Sequence, residues 1–204
     1  MILYHTPTSP FVRKVLVSAH ELGLADRLET RFLRAVPTKT DPALSGANPL
    51  SKIPALILED GSALYDSAVI CDYLDTLHQT PRLTPRSGPA RFRVLRQQAL
   101  CDGILEAAIL VFYERTMRPA ELQWRTWLDG QIEKANQGLD ALEREAPGFG
   151  AEIDLGQICA GCALGWLELR GVLGDVRAKR PALAAWYEQF RARPSMKATE
   201  PPPS

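Results

Sequence analysis

The chain has 204 residues, 46% hydrophobic and 24% charged, the composition of an ordinary globular protein; disorder is excluded and one large or two small domains are expected. Twenty-four Lys and Arg balance 24 Asp and Glu, so no net field draws the chain to nucleic acid or to an acidic membrane surface. The longest uncharged apolar stretch, residues 155–167, is 13 residues long, short of the roughly 20 needed to cross a bilayer, and reads as a buried helix.

In chain order, residues 2–5 read as a strand, 10–24 as a helix and 28–33 as a strand. A short polar helix near 41–45 precedes a strand over 55–58, the turn Glu59-Asp60-Gly61, a strand over 62–64 and a helix over 67–77. The order is β-α-β-α-β-β-α. The first helix places Phe11, Val15, Ala19 and Leu22 on one face, with Arg13, Lys14, Ser18 and Glu21 elsewhere and Gly23 where a C-terminal cap belongs. The run at 55–58 is apolar throughout, as in a central strand buried on both faces, and Asp60-Gly61 supplies the hairpin turn. Residues 79–89 carry three prolines and a glycine in 11 positions, which predicts a linker over 79–88. Beyond it helical periodicity stands alone: helices are predicted over 89–115, 119–145, 154–170 and 181–193. The expected division is residues 1–78, a linker over 79–88 and an all-helical domain over 89–204.

The start, M-I-L-Y-H-T-P, lacks the basic and apolar regions of a secretory signal, so a cytoplasmic protein is expected. Cys71, Cys101, Cys159 and Cys162 sit in helical patterns and read as reduced thiols. Cys159 and Cys162 have C-x-x-C spacing but fall inside a predicted helix, and no second C-x-x-C or paired histidine completes a zinc set; no metal is expected.

Three motifs carry candidate chemistry. In T-S-P-F-V-R-K, residues 8–14, Ser9 caps a helix that opens with Pro10. Its hydroxyl can accept from the helix amides and still donate its own proton, so a thiolate placed there gains a hydrogen bond and the helix dipole. Ser-Pro is equally an ordinary helix start. In N-P-L-S-K-I-P-A-L, residues 48–56, Pro54 opens the apolar strand, and a cis Ile53-Pro54 bond there would present the Ile53 backbone to an extended peptide ligand; an ordinary turn is the alternative. In L-Y-D-S-A-V-I, residues 64–70, Asp66-Ser67 opens a helix as a cap. Its free amides and the Ser67 hydroxyl also suit a carboxylate, and Asp66 suits an ammonium.

These motifs, in this order, resemble the thioredoxin-like domain of cytosolic glutathione transferases. The segment E-I-D-L-G-Q-I-C-A, residues 152–160, is similar to the capping box of that family's helical domain, with Asp154 as cap, Gln157 returning an acceptor to the cap amide and Ile153 and Ile158 as staple. The resemblance covers residues 1 to about 193 and is nearest to small bacterial serine-type members, with S-P-F and K-I-P also similar to the plant tau class. It implies a thioredoxin-like N-terminal domain with a mixed four-stranded sheet, an all-α C-terminal domain and glutathione as co-substrate. Ser9 then matches the residue that bonds the glutathione sulfur, Ile53 the backbone partner of the cysteinyl unit and Pro54 the cis-proline. Asp66 and Ser67 match the pair that holds the γ-glutamyl head, and Lys52 and Lys39 are candidates for the glycine carboxylate. Phe11, Ile109, Phe112 and Tyr113, with Met117, are candidates to line an electrophile pocket. Asp102 lies among apolar neighbours, toward a cleft or a dimer axis.

The resemblance implies transfer of glutathione to a small electrophile by a homodimer, with no nucleic-acid or membrane partner. Without cysteine in T-S-P-F, mixed-disulfide chemistry is disfavoured, because it needs a protein thiolate. Glutathione-dependent isomerisation or peroxide reduction is an alternative, as is a non-catalytic interaction protein that keeps the fold.

Overall fold

The computed structural model describes residues 1–77 and 83–202, so His78 and residues 79–82 of the expected linker lie outside the described residues. Two compact units emerge: residues 1–91 with 194–202, and residues 92–193. The division falls inside a helix, three residues past the predicted end of the linker, and the last described residues join the first unit instead of the helical one.

In the first unit, β1 (Ile2–His5), β2 (Glu29–Phe32), β3 (Ala55–Ile57) and β4 (Ala63–Leu64) form one mixed sheet in the order β2-β1-β3-β4. β1 runs parallel to β2 and antiparallel to β3, with Leu3 opposite Leu56 and Tyr4 opposite Ala55. β4 closes the hairpin, Leu56 opposite Leu64. α1 (Pro10–Glu21) and α3 (Ser67–Thr76) pack on each other, and α3 touches β3. α2 (Pro42–Ala47) touches β3 as well, where Leu44, Ala47 and Ala55 form a cluster against Tyr4, Ile53 and Ile57. Because side chains alternate along a strand, Leu3 and Leu56 point away from that cluster, and both are fully buried. The predicted central strand is therefore covered on both faces.

Helix ends follow local chemistry. α1 stops at Glu21, short of the predicted residue 24, because Gly23 takes a left-handed φ of 67°. Its amide then reaches His20 O, and the Leu24 amide reaches Ala19 O at 2.7 Å, the paired bonds of a Schellman cap. A short helix missed in the sequence, α8 (Pro194–Ala198), returns to α1: the Arg13 guanidinium donates to Met196 O at 3.0 Å, and Ser195 donates to Glu21. Arg13, Lys14 and Ser18, which lie off the apolar face in the sequence, are buried as well. Ser18 donates to Lys14 O at 2.8 Å and lies 3.6 Å from the Cys71 sulfur on α3.

The second unit contains the rest of α4 (Gly88–Met117), then α5 (Arg125–Glu145), α6 (Leu155–Arg170) and α7 (Pro181–Phe190). α5 begins six residues later than predicted. Residues 120–122 form a single 3-10 turn, and the Glu114 carboxylate holds the approach by accepting from the Trp124 amide at 3.1 Å and from Arg118 at 2.7 Å. α6 is buried from Leu155 to Leu164, which is where Cys159 and Cys162 sit, inside a helix and away from any strand-helix junction. No helix among the described residues is long and apolar enough to cross a membrane.

Asp154 caps α6, its Oδ1 accepting from the Gln157 amide at 2.9 Å. Gln157 departs from the expected capping box. Its side-chain amide donates to Gly150 O and Glu152 O at 3.1 and 3.3 Å, because the incoming loop presents carbonyls there. Arg93 bridges Asp154 to Gln97, and Gln97 donates in turn to Glu145 at 3.0 Å. Gly156 sits under this network: a Cβ there would lie 2.4 Å from Gln97 Oε1 and 2.9 Å from Gln97 Cβ. Gly156→Ala must therefore displace Gln97 along with its bonds. Urea unfolding is expected to show a loss of about 2–3 kcal/mol, the scale of overpacking; a wild-type midpoint would show that Gln97 swings aside at no cost.

Candidate functional site

The sheet register determines where the three motifs meet. β1 ends at His5 and the chain turns into α1 through Ser9. β3 enters at Ala55, opposite Tyr4, so Pro54 and Ile53 lie at the end of the sheet where β1 exits. β4 leaves at that same end, since it is antiparallel to β3, and delivers Asp66 and Ser67. β2 exits there too, parallel to β1, and leads to Lys39. One end of one sheet thus collects Ser9, Ile53, Pro54, Asp66 and Ser67, with Lys39 and Lys52 on exposed loops beside it.

Ser9 is the N-cap of α1, its Oγ accepting from the Val12 amide at 3.3 Å. That contact is long for a hydrogen bond, and the hydroxyl proton remains for another acceptor. Thr6, which carried no signal in the sequence, shapes the turn: its carbonyl accepts from the Ser9 amide at 3.0 Å and its hydroxyl donates to Leu33 O at 2.8 Å. Pro10 is buried behind Ser9. His5, nearby on β1, is held below the usual imidazole range by burial.

The Ile53-Pro54 peptide bond is cis. Asn48 builds the loop ahead of it: 2% exposed, it donates from Nδ2 to Lys52 O at 2.9 Å and accepts from the Leu50 amide at 3.0 Å. Ser51 takes a φ of 53°, a region that non-glycine residues seldom occupy. It is held by its amide on Asn48 O and by its hydroxyl, which accepts from the Asp41 amide and pairs with Ser45. Ile53 packs on the α2 cluster and lies outside the ladder, which starts at Ala55. Nothing local in the sequence marked Asn48 as the organiser of this loop.

Asp66 is the N-cap of α3, with Oδ1 accepting from the Ala68 amide at 3.0 Å, and the Tyr65-Asp66 bond is cis. Ser67, at the first helical position, is 3% exposed while Asp66 is exposed. One Asp66 oxygen thus serves the helix, and the carboxylate faces the surface.

The candidates for an electrophile pocket divide between the units. Phe11 belongs to the first, where the Lys14 ammonium lies 5.7 Å from its ring centroid. Ile109, Phe112 and Tyr113, all half-buried on α4, belong to the second. There Phe112 meets Tyr113 at 5.6 Å and the edge of Trp166 at 6.1 Å. Arg170, not anticipated from the sequence, lies 4.8 Å from the Phe112 ring centroid. Burial pushes the Tyr113 phenol up, against the pull of Arg170. Met117 is exposed, and Asp102 is half-buried. A separate hollow of about 420 Å³ lies between Asn136, Asp140, Lys179 and Arg180. Arg180 and Asp140 form an ion pair there at 2.7 Å.

Comparison with known proteins gives the family of the chain. Residues 8–77 match the sequence family described as Glutathione S-transferase, N-terminal domain, and residues 125–189 match Glutathione S-transferase, C-terminal domain. The chain is 34% identical to the uncharacterized GST-like protein YibF of Escherichia coli, over 99% of both chains. A crystal structure of a glutathione transferase family member from Pseudomonas fluorescens Pf-5, with bound glutathione, superposes with a TM-score of 0.96 at 46% identity, covering 98% of each chain. A second structure from that organism, with bound S-(propanoic acid)-glutathione, gives 0.91 at 44% identity, covering 99% of this chain and all of the other.

Proposed function

We propose, for a chain that belongs to the glutathione S-transferase superfamily, that it binds glutathione at one end of the sheet, stabilises the thiolate at Ser9 and transfers it to a small electrophile. The observation that carries this reading is the register, which brings Ser9, the cis Ile53-Pro54 segment and Asp66-Ser67 to one end of one sheet. Relatives at 44–46% identity that hold glutathione or its thioether support it.

In this reading the Ile53 backbone pairs with the cysteinyl unit, as a strand end pairs with an extended peptide. Ser67 and the α3 amides receive the γ-glutamyl carboxylate, Asp66 receives the ammonium, and Lys52 and Lys39 attract the glycine carboxylate. The Ser9 hydroxyl donates to the sulfur at the positive end of α1. Ser9 forms no bond to substrate: the thiolate attacks, and catalysis comes from its stabilisation and from holding it near the electrophile. The working form in this reading is a cytoplasmic homodimer. Buried cysteines suit a reducing compartment, and the exposed Phe32, Val69 and Phe92 suit burial against a second copy.

Thermal unfolding across a glutathione titration tests the reading, with an S-alkyl glutathione in parallel. Ligand at 100 times its dissociation constant should add about 2.7 kcal/mol, and the rise should be saturable with both ligands and lost in Ser67→Ala. No shift at millimolar glutathione would turn the reading toward a non-catalytic interaction protein.

A further inference from the structure

Asn48 spends both its backbone and its side chain on one loop. It ends α2, where its amide donates to Leu44 O at 2.7 Å and its carbonyl accepts from the Ser51 amide at 2.8 Å. Its side chain accepts from the Leu50 amide at 3.0 Å and donates from Nδ2 to Lys52 O at 2.9 Å. One partner can only donate and the other only accept, so a single orientation of the side-chain amide fits. Lys52 O belongs to the same peptide unit as the Ile53 N–H, and in a planar trans peptide these two groups point in opposite directions. Asn48 therefore turns the carbonyl toward the end of α2 and the N–H away from it. The Ile53 amide makes no hydrogen bond among the described residues. Ser51 steadies the unit from the other side. Its left-handed φ of 53° is a strained backbone that persists only where the surroundings enforce it. Its hydroxyl supplies that constraint, accepting from the Asp41 amide at 3.2 Å and pairing with Ser45 at 3.1 Å.

We propose that Asn48 is a positioning residue for glutathione: by gripping the Lys52 carbonyl it aims the Ile53 N–H at the cysteinyl carbonyl of the ligand. Asn48 itself touches no ligand. The assignment rests on the glutathione reading, in which the Ile53 backbone pairs with the cysteinyl unit as a strand end pairs with an extended peptide. A donor already aimed needs no ordering when the ligand arrives, and that saving appears as affinity. Without the grip, the peptide unit between Lys52 and Ile53 can turn about its flanking bonds, and binding has to order it. The effect falls on affinity and leaves the sulfur alone, because Ser9 lies on the separate turn between β1 and α1.

Calorimetry on the full chain tests this with S-methylglutathione and with its analogue carrying an ester in place of the cysteinyl-glycine amide, whose carbonyl is the weaker acceptor. The wild-type protein is expected to bind the ester at least about threefold more weakly, the lower end of what one neutral hydrogen bond contributes. Asn48→Asp keeps the volume and the Leu50 contact but sets an oxygen against Lys52 O. It should bind S-methylglutathione about tenfold more weakly, and its preference for the amide over the ester should fall toward one. Asn48→Ala, which drops both side-chain contacts and introduces no charge, should do the same. Ser51→Ala loses the Asp41 and Ser45 contacts and spares Asn48; it should show the same change at smaller size, and it carries the test where neither Asn48 variant folds. Equal weakening of both ligands with the wild-type preference kept means that Asn48 only holds the loop together, and overturns the assignment. Wild-type affinity in the folded variants overturns it too, as does a wild-type protein that binds both ligands equally well; all three results leave the glutathione reading standing. A wild-type protein that binds neither ligand overturns that reading and the assignment together.

Discussion

Ser9→Ala is expected to lower turnover tenfold or more while the protein remains folded. A free thiol near pKa 8.5 is mostly protonated at neutral pH; lowering it by about two units requires roughly 2.7 kcal/mol, a load shared by one hydrogen bond to the anion and the N-terminal field of α1. Alanine removes the bond and leaves the field. The structural cost is small because the cap contact to the Val12 amide is already 3.3 Å long, which puts the loss toward the lower end of the 0.5–2 kcal/mol range for such caps. Ser9→Thr keeps the hydroxyl and should keep most of the rate. The pH profile separates a thiolate role from a structural one. In Ser9→Ala the rate should climb with pH toward that of a free thiol, because the glutathione sulfur then ionises later; unchanged turnover, or an equal loss at every pH, would remove Ser9 from the role.

What was legible in the sequence was local. Ser9-Pro10, Asp66-Ser67 and Asp154 each announce a helix start because the capping oxygen and the amide it accepts from are at most three residues apart. A continuous apolar run and an Asp-Gly turn announced the β3-β4 hairpin for the same reason. Nothing near Arg13 in sequence signals its burial, because its partner is Met196, more than 180 residues away. The late start of α5 depends on Glu114 reaching Trp124, and the role of Gln157 depends on which carbonyls the loop before α6 exposes. In the site, the residues that touch the ligand in our reading follow from motifs, while those that hold the motifs in place, Thr6, Asn48 and Ser51, do not. Their polarity alone could equally have placed them on any surface loop.

Asp75→Ala is expected to be the most destabilising of these substitutions, at about 2–5 kcal/mol by urea unfolding. Asp75 lies near the C-terminal end of α3 and is 3% exposed. Its two oxygens accept from the backbone amides of Leu83 and Thr84 at 3.0 and 2.9 Å, both residues being buried themselves. Alanine strands two buried donors, each at roughly 1–3 kcal/mol, and the Thr84 hydroxyl has no partner among the described residues. Asp75→Asn distinguishes lost acceptors from lost volume: it fills the same space but keeps one acceptor and sets an NH₂ donor against the other amide. If the acceptors matter, it recovers little; near-wild-type stability in Asp75→Asn would mean that packing held the segment. The consequence reaches the site, because the helix that carries Asp75 near one end carries Asp66 and Ser67 at the other. Loosening the anchor at Leu83 and Thr84 should therefore weaken glutathione binding in Asp75→Ala even at temperatures where the protein remains folded, which the glutathione titration reads directly.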